Sequence, residues 1–349
     1  MIGIAVIVWS CAAAPEGRSA PPGESVWVRA LTAAGFRCPP DVEPSARGFR
    51  RKRSLLWAAG GANHRGQDVV TPPDGRQILV GKIAYGIADK DLKEEDVDVL
   101  VQRGNVCTPW ELLGVVRTSR EGDLDAALLG TPDDGGRVLL EIPAPRHLPA
   151  GRHAVRLLVH GDRSAADFSL WVLPRGTEVA IFDVDGTLTT GDDELWEQLA
   201  TEALGSPEQP DAWPGARDVV AAWAERGVLP VYLTGRPDTL RRLTVQWLRE
   251  QGFPPGVVRF TDQMRQTVPV EAFVGRFKAD VLTDLQGRAG LVVRAAYGNA
   301  ATDRFAYRGA KIPDDRVHMV GDGLDWPAEL VRVRGEPAAQ VAAPRPAAW

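Results

Sequence analysis

Between His64 and Pro174 apolar residues recur at every second position in short runs, as in Val155, Leu157 and Val159 or Leu170 and Val172. A two-residue period fits strands with one buried face. The runs Ile78–Val80, Val97–Val101, Leu112–Arg117, Arg137–Ile142, Ala154–Val159 and Phe168–Leu173 are therefore read as strands. Turn-forming breaks such as Pro72-Pro73-Asp74-Gly75 separate them. Six or seven short strands in about 110 residues predict a β-sandwich. After Arg175 strands and helices alternate. Predicted strands are Val179–Phe182, Leu229–Leu233, Val257–Phe260, Val292–Tyr297 and Val317–Val320. Helices are expected at Asp193–Ala203, Ala216–Arg226, Asp238–Gln251, Val270–Gln286 and near Ala301–Tyr307. This order gives an α/β fold, a parallel sheet covered on both faces, with ligands outside the carboxyl ends of its strands. The layout is then a leader and basic linker over 1–60, a sandwich over 61–174, an α/β domain over 175–334 and a disordered Ala/Pro-rich tail over 335–349.

Composition narrows the function classes. Lys and Arg number 41 against 46 Asp and Glu, a net charge of -5. That argues against a duplex nucleic-acid binder, which needs a concentrated basic surface. Cys11, Cys38 and Cys107 form no C-x-x-C pair and the five histidines form no ligand-spaced cluster, so a structural zinc site is not expected. The apolar stretch Ile2–Trp9 ahead of Ser10-Cys11 resembles a bacterial lipoprotein signal, in which Cys11 would carry the lipid. The alternatives are a disordered leader or a mis-assigned start codon, on a cytoplasmic or peripheral membrane protein. In the exported case Cys38 and Cys107 are available for a disulfide. Arg47, Arg50, Arg51, Lys52 and Arg53, followed by Leu55, Leu56 and Trp57, read either as a solvated linker or as a contact with an anionic membrane.

The chemistry gathers at the predicted strand ends. Asp183-Val184-Asp185-Gly186-Thr187 follows the apolar strand directly, and residues two apart in extended chain project to one side. Two acids so close repel unless one is protonated or a cation intervenes. Thr234-Gly235-Arg236-Pro237 ends the second strand, where a helix start would offer a hydroxyl and backbone N–H groups to a phosphate. Lys278 lies in an amphipathic helix. Gly298-Asn299-Ala300-Ala301-Thr302-Asp303 places an amide and a carboxylate four apart, oxygen ligands suited to Mg²⁺. Asp322 and Asp325 are read as a loop after the last strand, because the Asn299–Asp303 segment already fills the ligand role one strand earlier.

These motifs resemble the haloacid-dehalogenase (HAD) phosphatase superfamily, and more narrowly the catalytic domain of lipin-type phosphatidate phosphatases. Phe182–Thr189, Phe277–Leu285 and Gly298–Tyr307 carry that likeness. Asn63–Val70, Gly81–Gly86 and Leu157–Val179 are similar to membrane-associated phosphatidylinositol transfer proteins, where a β-rich segment precedes a lipin-like domain. The lipid-transfer domain of those proteins has no counterpart here. The resemblance implies Asp183 as nucleophile, Asp185 as acid and base, and Thr234 and Lys278 on the phosphoryl oxygens, with Thr187, Gly235 and Arg236 touching substrate. Mg²⁺ would sit among Asp183, the Asp185 main-chain carbonyl and Asn299, with Asp303 orienting the shell, or with the roles of Asn299 and Asp303 exchanged. The animal transfer proteins lack the first aspartate and bind phosphatidic acid without cleaving it; Asp183 restores it here.

The intervals Thr187–Thr234 and Thr234–Lys278 are filled by predicted elements and leave no room for a folded cap. An open site must exclude water with a large substrate or a surface, which points to a membrane lipid phosphate, phosphatidic acid first. Two alternatives stay open: a lipid-sensing module without turnover, and a phosphatase of soluble phosphoesters or phosphoproteins.

Overall fold

Five of the expected strands pair in register to build the parallel sheet, and the short β-prone runs before them build two antiparallel-rich layers. The computed structural model describes residues 47–104, 108–190, 210–261, 270–346 and 349, all within one structural unit. Cys11, Cys38, Cys107 and the helix expected at Asp193–Ala203 lie outside the described residues.

The first layer pair begins with helix α1 (Ser54–Ala58) and strands β1 (Arg65–Gly66), β2 (Val69–Thr71), β3 (Ile78–Lys82), β4 (Ala84–Tyr85) and β5 (Lys90–Asp91). It continues through β6 (Asp96–Arg103), β7 (Glu111–Arg117), helix α2 (Ala126–Leu129), β8 (Arg137–Glu141), β9 (Gly151–Val159) and β10 (Ala165–Val172). One sheet has the order β1-β3-β8 and the other β2-β10-β9-β6-β7, with β4-β5 a small hairpin. Alternate residues, such as Val155, Leu157 and Val159 of β9, point into one core with Leu79, Val97, Val99 and Phe168. This is the β-sandwich expected from the two-residue period.

The second part contains β11 (Glu178–Asp183), α3 (Ala216–Glu225), β12 (Leu229–Pro237), α4 (Arg241–Glu250) and β13 (Val257–Thr261). After these come α5 (Val270–Gly287), β14 (Val292–Gly298), α6 (Ala301–Gly309), β15 (Val317–Met319) and α7 (Trp326–Gly335). The sheet order is β13-β12-β11-β14-β15, every pair parallel. All six residues of β11 are buried, as a central parallel strand requires. Ala180 and Phe182 face one core, with Trp223 of α3 and Trp247 of α4, while Val179 and Ile181 face the other, with Leu282 of α5 and Ala306 of α6. The strand order reverses at β11, so a crevice opens at its carboxyl end between β12 and β14.

Three expectations are corrected. β12 runs on through Thr234, Gly235 and Arg236 to Pro237, and a 3-10 turn over Asp238–Leu240 precedes α4. Thr234 therefore lies in a strand, and no helix begins there. Residues 336–346 are ordered: Ala339 and Ala343 N–H donate to the Arg226 and Gly227 carbonyls, and Glu178 N–H donates to the Val341 carbonyl. The Trp349 indole N–H donates to the Phe253 carbonyl at 2.8 Å. An Ala/Pro-rich strip builds no core of its own, but it can pair its backbone with an existing one. Finally, the basic run is no free linker. Arg50 and Arg51 N–H donate to the Glu95 carboxylate at 2.7 and 3.0 Å, and the Ser54 hydroxyl joins them at 2.6 Å.

Candidate active site

Asp183 is the last residue of β11 and reaches the crevice with only 3% of its surface exposed. The chain then turns sharply. Gly186 has φ 68°, and a Cβ there would stand 2.0 Å from Asn299 Nδ2, so glycine alone lets the loop after β14 come this close. Thr187, fully buried, shares its hydroxyl between Asp183 Oδ2 at 2.9 Å and Asn299 Oδ1 at 3.2 Å.

From the opposite side α5 sends in Lys278, whose Nζ donates to Asp183 Oδ1 at 2.6 Å and Asp303 Oδ1 at 2.7 Å. Asp303 sits in the first turn of α6, and its Oδ2 accepts the Asn299 and Ala300 N–H groups at 3.1 and 3.0 Å. A carboxylate there satisfies helix-start donors that would otherwise be orphaned. Asp185 turns the other way. Its Oδ2 accepts the Thr234 hydroxyl at 2.7 Å, and its Oδ1 accepts Arg236 Nε at 2.7 Å and Nη2. Arg236 is fixed in turn by Nη1 donating to the Thr244 hydroxyl of α4 at 2.9 Å.

Three buried carboxylates thus face two cations, Lys278 and Arg236. Burial, together with the charge of Asp303, pushes Asp183 up to about 8, against the pull of Lys278. Burial opposes the Lys278 charge, but Asp183 and Asp303 outweigh it and hold the ammonium above its ordinary value. With all three carboxylates ionised the crevice would carry one negative charge more than its own cations offset, and the raised value of Asp183 reflects that cost.

The structure brings together Asp183, Asp185, Thr187, Thr234, Arg236, Lys278, Asn299 and Asp303, with roles that shift. Thr187, Thr234 and Arg236 spend their polar groups on Asp183 and Asp185, so they position carboxylates, where the sequence suggested substrate and phosphoryl contacts. Gly235 makes room for α5, since a Cβ would stand 2.9 Å from Val274 Cγ1. Asp303 accepts from Lys278 and two N–H groups, while Asp183 accepts from Lys278 and Thr187, and Asn299 from Thr187; Asp183, Asn299 and the Asp185 carbonyl are the oxygens that would hold a cation. Among the described residues no three His, Cys, Asp or Glu side chains gather as a metal cage. The donors at Asp183, Asn299 and Asp185 are nonetheless all hard oxygens, and ionising Asp183 beside them leaves one negative charge for a cation to offset, which fits Mg²⁺. Asp322 pairs with Arg304 in the turn after β15, and Asp325 precedes α7, both outside this cluster. His153 and His160 are structural, bonded to the Pro149 carbonyl and the Asp98 carboxylate.

Sequence reasoning left the Asn63–Asp68 segment without a role. Arg65 Nε donates to Asp238 at 2.7 Å and its other nitrogens to Asp89. Asp68 accepts Arg241 Nη2 at 2.5 Å and the Ser169 and Val258 N–H groups. The segment therefore latches the sandwich to the 3-10 turn after β12, to β13 and to α4, just beyond Arg236. The signals were the likeness of Asn63–Val70 to the transfer proteins and the density of hydrogen-bonding residues in one short loop.

Residues 62–172 match the model of the PITM 1-3 β-sandwich domain, and residues 180–321 match that of the PITM 1-3 LNS2 domain. The chain carries the β-sandwich and LNS2 domains of the PITM 1-3 family. Membrane-associated phosphatidylinositol transfer protein 3 of Mus musculus is 31% identical over 281 residues, covering 80% of this chain and 26% of that protein. Protein retinal degeneration B of Drosophila melanogaster is 29% identical over 280 residues, covering 80% and 20%. The chain thus spans about a quarter or less of the length of these relatives. The HAD domain of effector protein Lem4 from Legionella pneumophila aligns at 10% identity and a TM-score of 0.32, over 48% of this chain and 96% of that one. The LNS2 part has the HAD-like fold, and the Asp183 cluster sits at its switch point.

Proposed function

We propose that this chain is a Mg²⁺-dependent phosphatase acting through an aspartyl-phosphate, with a membrane lipid phosphate, phosphatidic acid first, as substrate. The observation that carries this reading is the pairing of Asp183 and Asp185 at one strand end, each held by separate partners. Lys278 and Thr187 aim the Asp183 carboxylate, and Thr234 and Arg236 hold Asp185. Asp183, as the carboxylate, attacks phosphorus as the substrate P–O bond breaks, and Asp185, which must first take a proton from solvent, gives that proton to the leaving alkoxide. Water then attacks the acyl phosphate, Asp185 takes its proton, and phosphate leaves. Lys278 offsets charge on the phosphoryl oxygens throughout. Asp183, Asn299 and the Asp185 carbonyl would hold Mg²⁺, which supplies charge compensation for those oxygens. Peripheral attachment to a membrane is consistent with relatives named as membrane-associated transfer proteins.

A second reading, binding of the lipid phosphate without turnover, is favoured by those relatives being named for transfer. Phosphate release measured with and without Mg²⁺ on phosphatidic acid vesicles, soluble phosphomonoesters and a phosphopeptide separates the readings. Asp183→Asn is expected to lower release by about 10³-fold or more with the fold intact. Release that persists in this variant removes Asp183 as nucleophile. Vesicle binding without any release supports the sensor. Turnover of a small phosphoester with no gain on vesicles sinks the lipid assignment.

A further inference from the structure

Away from the Asp183 cluster, a cleft of about 1000 Å³ opens between the sandwich and α4. Its walls carry Arg152 and Arg156 of β9, Arg241, Arg242 and Arg249 of α4, and Trp110. Neither Asp183, Lys278 nor Asp303 lines it. Arg241 is committed to Asp68, and Arg156 to Asp167 at 2.8 Å. Arg242 and Arg249 make no ion pair among the described residues, although they project from α4 seven positions apart, two turns along one face. Burial and the like charge of Arg241 also hold Arg152 below its ordinary value, against the pull of Asp68. Six arginines and four aspartates line the cleft, so in a chain of net charge -5 it holds a local surplus of guanidinium groups in a concave site.

The cleft also has an apolar side. Arg156 lies over the Trp110 ring at 4.6 Å, and Phe168, Leu243 and Val245 line the same space. At its mouth stand Gly60, Gly61 and Ile87, the last 74% exposed. Helix α1, which leads into Gly60, exposes Leu55 and Leu56 by 62% and 73%. Inter-domain clefts lined by apolar groups and a few convergent charges are where ligands bind. Arginine forks are suited to phosphate oxygens. We propose that this cleft is an anion site, separate from the Asp183 cluster, for a phosphate-bearing molecule with an apolar portion.

The shared chemistry has two sources, a soluble phosphate ester or a lipid headgroup, and the test carries both. Binding is measured in a chelator, so that no turnover consumes the probe. The soluble arm uses inorganic phosphate and glycerol 3-phosphate by calorimetry. The vesicle arm uses phosphatidylcholine with and without phosphatidic acid by co-sedimentation. The full chain is compared with the Arg242→Glu/Arg249→Glu variant and with Arg308→Glu/Arg334→Glu, an equal charge change on exposed residues elsewhere. Charge reversal in the cleft is expected to weaken one arm by at least about tenfold, with unchanged melting temperature, while the control retains binding. The arm that responds identifies the source. If vesicles respond, Leu56→Ser/Ile87→Ser lowers that arm and spares the soluble one. Equal affinity of the cleft variant and the full chain for every probe, or an equal loss in the control, overturns the proposal. Because the readout is binding without metal, it stands apart from whether Asp183 turns over.

Discussion

At the residue scale the decisive contact is Lys278 between Asp183 and Asp303. Removing one partner of a buried ion pair leaves the other charges uncompensated, which costs far more than the pair contributes. Lys278→Met is therefore expected to lower unfolding free energy by about 3–5 kcal/mol in denaturant titrations. Adding Asp303→Asn should recover part of that loss, because one of the two facing carboxylates disappears. No recovery in the double variant argues against a charge origin. His64 supplies a pH-dependent counterpart in the sandwich. Its Nδ1 accepts the Ala84 N–H, which fixes the proton on Nε2 toward Ser164 at 2.7 Å. Burial pushes it down to about 4 from an ordinary value of 6.5. The unfolded chain then binds more protons than the folded one in that window, so stability falls as pH drops from 6.5 toward about 4. His153 and His318, also lowered by burial, add to the same slope. Unfolding His64→Gln across this range should show a shallower decline, by about one proton; an unchanged slope assigns the effect elsewhere.

At the element scale β1 and β2 act as a latch whose parts come from distant sequence. Arg65 meets Asp238 and Asp89 with 8% of its side chain exposed, so the ion pairs are screened little by solvent. Arg65→Ala should cost about 3–5 kcal/mol by leaving two carboxylates unpaired. The replacement Arg65→Met with Asp89→Asn and Asp238→Asn should cost less. Gly66 is the companion constraint, since a Cβ would stand 2.2 Å from the Phe168 ring. Gly66→Val is therefore expected to destabilise by about 1–3 kcal/mol through overpacking. Thermal melts that leave either variant at the parent temperature would show that the sandwich is not clamped here.

At the scale of the whole molecule, the two parts share a core. Val70, Trp171 and Leu173 of the sandwich side pack with Val179, Leu282 and Leu291 of the sheet side. The segment after Gly335 returns to the same body: Ala339 and Trp349 lie against the Trp223 and Trp247 cluster and Ala343 against the opposite one. Truncation after Glu336 removes those contacts and the paired backbone groups. A loss of about 2 kcal/mol or more, read as a lower midpoint in urea, is expected. A truncated chain with the parent midpoint would mean these contacts contribute nothing.

The order of amino acids specifies the periodicities and their local consequences. A two-residue period specifies the sandwich strands, and an apolar run ending in Asp183-Val184-Asp185-Gly186 specifies a central parallel strand with acids at its exit. Side-chain spacing along one element is local, and so it is legible in one dimension. Pairing between elements is not. Whether Arg236 meets substrate or Asp185, whether Asp303 serves a cation or Lys278, and whether the Ala/Pro-rich end lies free or adds to a core depend on distances between residues far apart in the chain. The same holds for the arginines of β9 and α4, which no spacing rule connects until the latch brings the two parts together. Folding in three dimensions settles these pairings because charge compensation and close approach act through space, within a few ångströms, irrespective of sequence separation.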